Sequence, residues 1–170
     1  YSVNDDGTLA SYINGENERV DYAYDSMNRI QQITFPEKLP VNISYQANSR
    51  QLIRGNLQIT DHYNATGQLQ RNEVLDATGS EAIITTKRYD AQGQLQFSSL
   101  PNSALGQGYR YDALGRTTQL IDPDGQSTVT LYQDDRVLVT DANGHTTTRF
   151  YRTMGLNDNW LVRTDQPENV

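Results

Sequence analysis

The sequence predicts an all-β chain of antiparallel hairpin repeats forming an extended, twisted, curved sheet. Three observations predict it. A tyrosine–aspartate unit recurs along the chain, short alternating strand-like runs follow one another closely, and a long apolar stripe at helical spacing is missing.

The unit is clearest at Tyr109-Arg110-Tyr111-Asp112-Ala113-Leu114-Gly115-Arg116-Thr117. An alternating aromatic run enters an Asp-Ala-Leu-Gly turn and leaves along a Thr-rich run. Asp at the first position can accept backbone amides about two residues on, and Gly115 at the fourth can take φ > 0 without steric cost. A tight reversal with an added bulge is the expected result. Near-copies occur at Tyr89-Asp90-Ala91-Gln92-Gly93, at Tyr63-Asn64-Ala65-Thr66-Gly67 and at Tyr24-Asp25-Ser26-Met27-Asn28, the last with Asn in place of Gly. Tyr1 to Leu9 and Tyr151 to Leu156 read as worn copies. The turns at Asp76–Gly79, Asp122–Gly125 and Asp141–Gly144 keep the Asp-x-x-Gly frame without tyrosine. From Tyr89 to Tyr111 is 22 residues, from Tyr111 to Tyr132 is 21, and from Tyr132 to Tyr151 is 19. A period of about 20 marks a repeat array rather than an enzyme fold.

In chain order, strands are expected over 8–13, 19–24, 29–35, 41–45, 51–54, 57–63, 68–75, 83–89 and 94–99. They continue over 109–111, 116–121, 127–132, 136–140, 146–151 and 160–163. In Val129-Thr130-Leu131-Tyr132 and Arg136-Val137-Leu138-Val139 the apolar set falls mainly on one side, as a half-wet antiparallel sheet requires. Connections of two to five residues make neighbours into hairpins, and Asn14-Gly15 adds a hairpin signal of its own. Pro36 and Pro40 bracket one irregular loop, and Pro101 to Gly108 reads as a second. No composition break divides the chain, so residues 1–170 read as a single segment, a fragment of a longer repeat protein.

Composition bounds the core. Leu, Ile, Val and Phe make up 36 of 170 residues, about 21%, and the 11 tyrosines supply further ring surface with wet hydroxyls. Such a chain can fill a thin layer along a sheet but not a thick core. The net charge of −7 is spread among turns and strand faces, which argues against a nucleic-acid surface. No apolar run approaches the length of a membrane-spanning helix. With no cysteine, disulfides and thiolate metal sites are excluded.

Chemistry has few footholds. Asp122, Asp124 and Asp141, with Asp134 and Asp135, are the best local cluster for calcium. Asx turns, however, use their carboxylates on their own backbone, so plain turns are the stronger reading and no metal or cofactor is expected. His62 and His145 are far apart and lack a nucleophile motif. Carboxylate pairs for glycoside hydrolysis lack a scaffold that would place them across a cleft. Trp160 and Tyr132 are candidate ligand-facing aromatics for sugar stacking, against a reading in which the tyrosines stack on their counterparts in neighbouring repeats. Arg29, Arg116 and Arg149, beside the turns, are expected to pair with turn aspartates or stack on tyrosines.

These tyrosine–aspartate units resemble the Rhs, or YD-repeat, family. Its repeat core reads roughly Gly-x-x-Tyr-x-Tyr-Asp-x-x-Gly-Arg-Leu, and residues 106–117 match it through Gly106, Gly108, Tyr109, Tyr111, Asp112, Gly115 and Arg116. The family includes bacterial polymorphic toxins, shell components of insecticidal toxin complexes, wall-associated proteins and animal teneurins. The resemblance implies a spiral β-shell, enclosing a C-terminal toxic domain in the toxins and supporting adhesion in teneurins. Bacterial members often end the shell in a core segment with an Asp-Pro-x-Gly…Asp-Gly motif. Asp122-Pro123-Asp124-Gly125 matches only its first half and lies mid-chain, so it reads as a turn.

The sequence therefore points to a structural role, a wall segment of a YD-repeat shell, rather than to an enzyme. Its repeat positions are Tyr24, Asp25, Tyr63, Asn64, Gly67, Tyr89, Asp90, Gly93, Tyr109, Tyr111, Asp112, Gly115 and Arg116. Its expected partners are the rest of its own shell and an enclosed C-terminal domain, with edge-to-edge self-association at free strands and a bacterial secreted or cell-surface location. The alternative reading is an extracellular module that binds glycans or a cell-surface partner through exposed aromatics.

Overall fold

The computed structural model describes residues 1–76, 81–153 and 159–166. The expected turn over 76–79 and the 154–156 part of the copy at Tyr151 lie outside the described residues. The chain falls into two compact units, residues 1–86 and 87–170.

The first unit holds β1 (Ser2–Val3), β2 (Leu9–Ile13), β3 (Arg19–Tyr24), β4 (Ile30–Thr34) and β5 (Val41–Tyr45). It continues through β6 (Ser49–Arg54), β7 (Leu57–Tyr63), β8 (Leu69–Leu75) and the start of β9 (Ile83–Tyr89). The second takes the rest of β9, then β10 (Leu95–Ser99), β11 (Gly106–Tyr111), β12 (Thr117–Ile121) and β13 (Ser127–Tyr132). It ends with β14 (Arg136–Thr140), β15 (Thr146–Thr153) and β16 (Asn159–Asp165). Each strand pairs antiparallel with its successor, and the sheet order is the order of the sequence. Among the described residues no helix is long and apolar enough to cross a membrane.

Turn chemistry fixes this meander. In the repeat turns the backbone N–H of the first residue donates to the carbonyl of the fifth, and the N–H of the fourth donates back to the carbonyl of the first, as at Asp112 N to Arg116 O (3.0 Å) and Gly115 N to Asp112 O (3.0 Å). The fourth residue has positive φ, 79° at Gly115 and 57° at Asn28. The register slips beside these turns, between Ala23 and Tyr24, His62 and Tyr63, and Arg110 and Tyr111. These are the bulges that the extra turn residue produces.

Packing is lateral. In the first unit an apolar row crosses five strands, Ile43 to Leu52 to Ile59 to Val74 to Ile83, each residue opposite the next. Polar Ser44, Gln51, Thr60 and Glu73 form the adjoining row on the other face. Among the described residues no apolar side chain is fully buried; the enclosed ones are polar, Ser11, Asp61 and Ser99. This is the thin layer that the composition predicts. Cross-strand contact, not a second layer, does the stabilising.

Asn14-Gly15 lies in the β2–β3 hairpin, as expected; Asn14 opens its Asx turn and Asn17 takes positive φ (63°). Two details differ from expectation. The irregular loop after Pro101 ends sooner than predicted, because Gly106 to Gly108 already pair with Ser99 to Phe97. A side chain at Gly106 would collide with the facing backbone, so glycine here permits close strand approach and does not mark a loop. The short β1, too brief to alternate, was not predicted.

Candidate functional site: the tyrosine–aspartate turns

A connection and a strand pair together return the chain to the same edge, so within each unit every second turn lies on one side. In the first unit Tyr24, Tyr45 and Tyr63 enter turns on that side; in the second Tyr89, Tyr111, Tyr132 and Tyr151 do so. All are half-buried. Four donate their hydroxyls to the carbonyl of the first strand residue after the preceding turn on that edge. These bonds are Tyr24 to Leu9 (2.9 Å), Tyr45 to Ile30 (2.9 Å), Tyr111 to Leu95 (2.8 Å) and Tyr132 to Thr117 (3.0 Å). Each tyrosine stitches its own repeat to the one before. Tyr109 instead donates to Gln107 Oε1 (2.9 Å).

The turn carboxylates work as Asx caps. Asp25, Asp90, Asp112 and Asp141 each accept two backbone N–H groups on Oδ1, from the residues two and four positions on, and Asn64 does the same. At six turns among the described residues the remaining side-chain atom of the first residue meets the side chain of the fifth. Asn4 donates to Thr8, Asn14 to Glu18 and Asn64 to Gln68. Asp25 pairs with Arg29 (2.7 Å), Asp112 with Arg116 (2.7 Å) and Asp141 with His145 (3.3 Å).

At two turns the fifth residue does more. The Arg29 guanidinium also lies 4.3 Å from the Tyr45 ring centre, and Arg116 lies 4.3 Å from that of Tyr132. Aspartate, arginine and tyrosine thus form a clasp, one per unit, tying a turn to the next tyrosine strand. Arg29 and Arg116 therefore both pair and stack; Arg149 sits within β15 opposite Val137 and Thr164, away from any turn aspartate. Hydrogen bonds from the Arg29 side chain hold the Asp25 carboxyl below the usual range. The Arg116 backbone N–H does the same for Asp112, as the His145 backbone N–H does for Asp141. Burial raises the Tyr111 phenol, helped by Tyr109 and Asp90.

The calcium cluster is not assembled. Asp122 and Asp124 (between β12 and β13) and Asp141 (after β14) lie at one edge of the second unit, whereas Asp134 and Asp135 (between β13 and β14) lie at the other. A five-residue strand, about 17 Å, separates them. Among the described residues no group of three or more His, Cys, Asp or Glu side chains is placed to hold a metal ion. His62 meets Glu73 (3.1 Å), which also binds Arg71. Trp160, 66% exposed, stands on β16 opposite Arg152, while Tyr132 lies under Arg116.

Two features escape the sequence reading. Tyr45 belongs to the tyrosine row, and its 21-residue distance from Tyr24 is the signal that could have found it. The other is a polar row across β6, β7 and β8, centred on the buried Asp61. Asp61 accepts from Arg50 (2.7 Å) and from Asn72 (2.8 Å), which face it directly across the strands. Burial pushes the Asp61 carboxyl up, but these donors outweigh it and leave it below the usual range.

A family model described as Teneurin YD-shell matches residues 1–157. Among solved structures, the chain is similar to the crystal structure of TcdB2-TccC3, at 18% identity and TM-score 0.77, over 97% of this chain and 10% of that one. It is also similar to the crystal structure of TcdB2-TccC3-Cdc42, at 20% identity and TM-score 0.72, over 91% of this chain and 9% of that one. At such identities the likeness is one of fold, and the chain spans about a tenth of theirs. Nothing among curated proteins matches it.

Proposed function

Since the chain belongs to the teneurin YD-shell family, we propose that it is a wall segment of a YD-repeat β-shell whose parent protein encloses or presents a toxin or other C-terminal domain. The observation that carries this reading is the tyrosine stitch, which bonds successive repeats along one edge in both units. A wall needs lateral continuity more than a core, and these bonds supply it. The family is a structural shell family, and the role requires no catalytic residue. The wall's partners are the remainder of the shell and the enclosed domain, in a protein secreted by a bacterium or held at its surface. The half-buried tyrosines favour this reading over a module that binds glycans or a cell-surface partner, which needs its rings open to solvent.

Protease protection in the parent polypeptide tests it. The domain beyond the shell should survive digestion under native conditions and be lost once denaturant opens the wall. Equal digestion in both conditions would remove enclosure from the function.

A further inference from the structure

In the Asp90 turn the first and fifth side chains are not paired among the described residues. Asp90 spends Oδ1 on the backbone N–H groups of Gln92 (3.0 Å) and Gln94 (2.8 Å), as its counterparts do. Its fifth residue is Gln94 where the clasps have arginine, and Oδ2 takes no hydrogen bond or ion pair among the described residues. The Gln94 amide points elsewhere. Its Nε2 lies 2.9 Å from where a Cβ on Gly115 would stand.

The tyrosine of the clasp is nevertheless in place. Tyr111 donates to Leu95 O as Tyr45 does to Ile30 O and Tyr132 to Thr117 O. Those two rings each carry an arginine of this chain, and among the described residues Tyr111 carries none. An open cavity of about 630 Å³ adjoins it, lined by Asp90, Gln94, Gln96, Tyr109, Tyr111 and Arg110, among others. Asp112, also on its wall, is paired with Arg116, so Asp90 and Arg110 are the lining charges outside any ion pair among the described residues, and the Asp90 charge reaches Tyr111.

We infer that this cavity binds an arginine side chain of a partner protein, its guanidinium bonded to Asp90 Oδ2 and laid over Tyr111. That is the position Arg29 and Arg116 take in the two complete clasps. A carboxylate beside an aromatic face suits a planar guanidinium better than an ammonium, since it can fork and stack together. Arg110 on the rim repels a run of cations. It favours an arginine flanked by an acidic residue.

The test is a titration of the full chain with N-acetyl-arginine methylamide, read from the backbone amide NMR shifts of Gln92 and Gln94. Saturable shifts are expected, and the neutral citrulline analogue should bind about fivefold more weakly or not at all. An acetylated Arg-Asp dipeptide amide should bind more tightly than the single residue. Asp90→Asn keeps the turn acceptor, as Asn64 does in the same frame, and should abolish the response. Gln94→Arg should complete the clasp in cis and also abolish it. Equal response to the arginine and citrulline probes, or an unchanged response in Asp90→Asn, would overturn the inference. A dipeptide no tighter than the single residue would overturn the acidic-flanked partner.

Discussion

Gly106→Ala tests whether close strand approach, rather than any apolar core, holds the second unit together. Gly106 faces Ser99 across β10 and β11. A Cβ there would stand 2.1 Å from the Ser98 carbonyl oxygen and 2.6 Å from Ser99 Cα. Both are backbone atoms and cannot rotate aside. Ordinary carbon–oxygen contacts are about 3.3–3.6 Å, so one strand must move by roughly 1 Å. The neighbouring pairs Ser98 with Gln107 and Phe97 with Gly108 lie in the path of that movement. Overpacking costs about 1–3 kcal/mol, and one lost ladder bond adds about 1 kcal/mol, giving a loss of roughly 2–4 kcal/mol. Gly125→Ala is the control. Gly125 has φ +86° with nothing within 4 Å of a new Cβ, so only left-handed strain of about 1–2 kcal/mol applies. Urea unfolding followed by circular dichroism at fixed protein concentration compares the two. If Gly106→Ala loses no more than Gly125→Ala, the close-approach argument fails.

Three further outcomes are expected. Tyr111→Phe deletes the 2.8 Å bond to Leu95 O and should cost about 0.5–1.5 kcal/mol in the same assay; an unchanged midpoint would mean the hydroxyl stitches nothing. A double-mutant cycle of Arg116→Ala with Tyr132→Leu should show a coupling of about 0.5 kcal/mol, small because Arg116 is half exposed, and additive effects would dissolve the clasp. Acid should weaken the fold through Asp25, Asp61, Asp112 and Asp141, whose folded carboxyls lie below their unfolded values. Their contribution is complete above the unfolded carboxylate pKa, about 3.9, and is lost as pH falls through the lower folded values. Unfolding midpoints measured from pH 7 down to pH 2 should therefore hold level until about pH 5 and drop below pH 4. Asp112→Asn, which keeps the turn acceptor, should blunt that drop; a flat profile to pH 2 contradicts the assignment.

The strands were readable because turn residues and alternation agree locally. Tyr24-Asp25 and Tyr111-Asp112 announce both the reversal and the bulge, and strands such as 19–24 and 127–132 fall at their predicted limits. Gly106 was misread because glycine has one sequence signature and two uses, loop and tight contact, and only the facing Ser98 carbonyl tells them apart. The clasps were half legible. The proximity of Arg29 to Asp25 and of Arg116 to Asp112 follows from turn spacing, and the arginines were expected to pair or stack. That one guanidinium does both depends on Tyr45 and Tyr132 arriving two strands later. The row from Arg50 to Asp61 to Asn72 depends on register between three strands, which no local pattern of charged and amide residues encodes.

The tyrosine edge imposes a rule of parity. A stitch joins turns two strands apart, so strands can be gained or lost in pairs with the stitching hydroxyls kept on the edge of their carbonyls. Removing one strand sends all later tyrosines in that unit to the opposite edge, away from the earlier turn whose carbonyl the next stitch would meet. Length change in such a sheet is therefore quantised. Hairpins are its unit of growth, and a frame error of a single strand is as disruptive to it as a shifted reading frame is to a message.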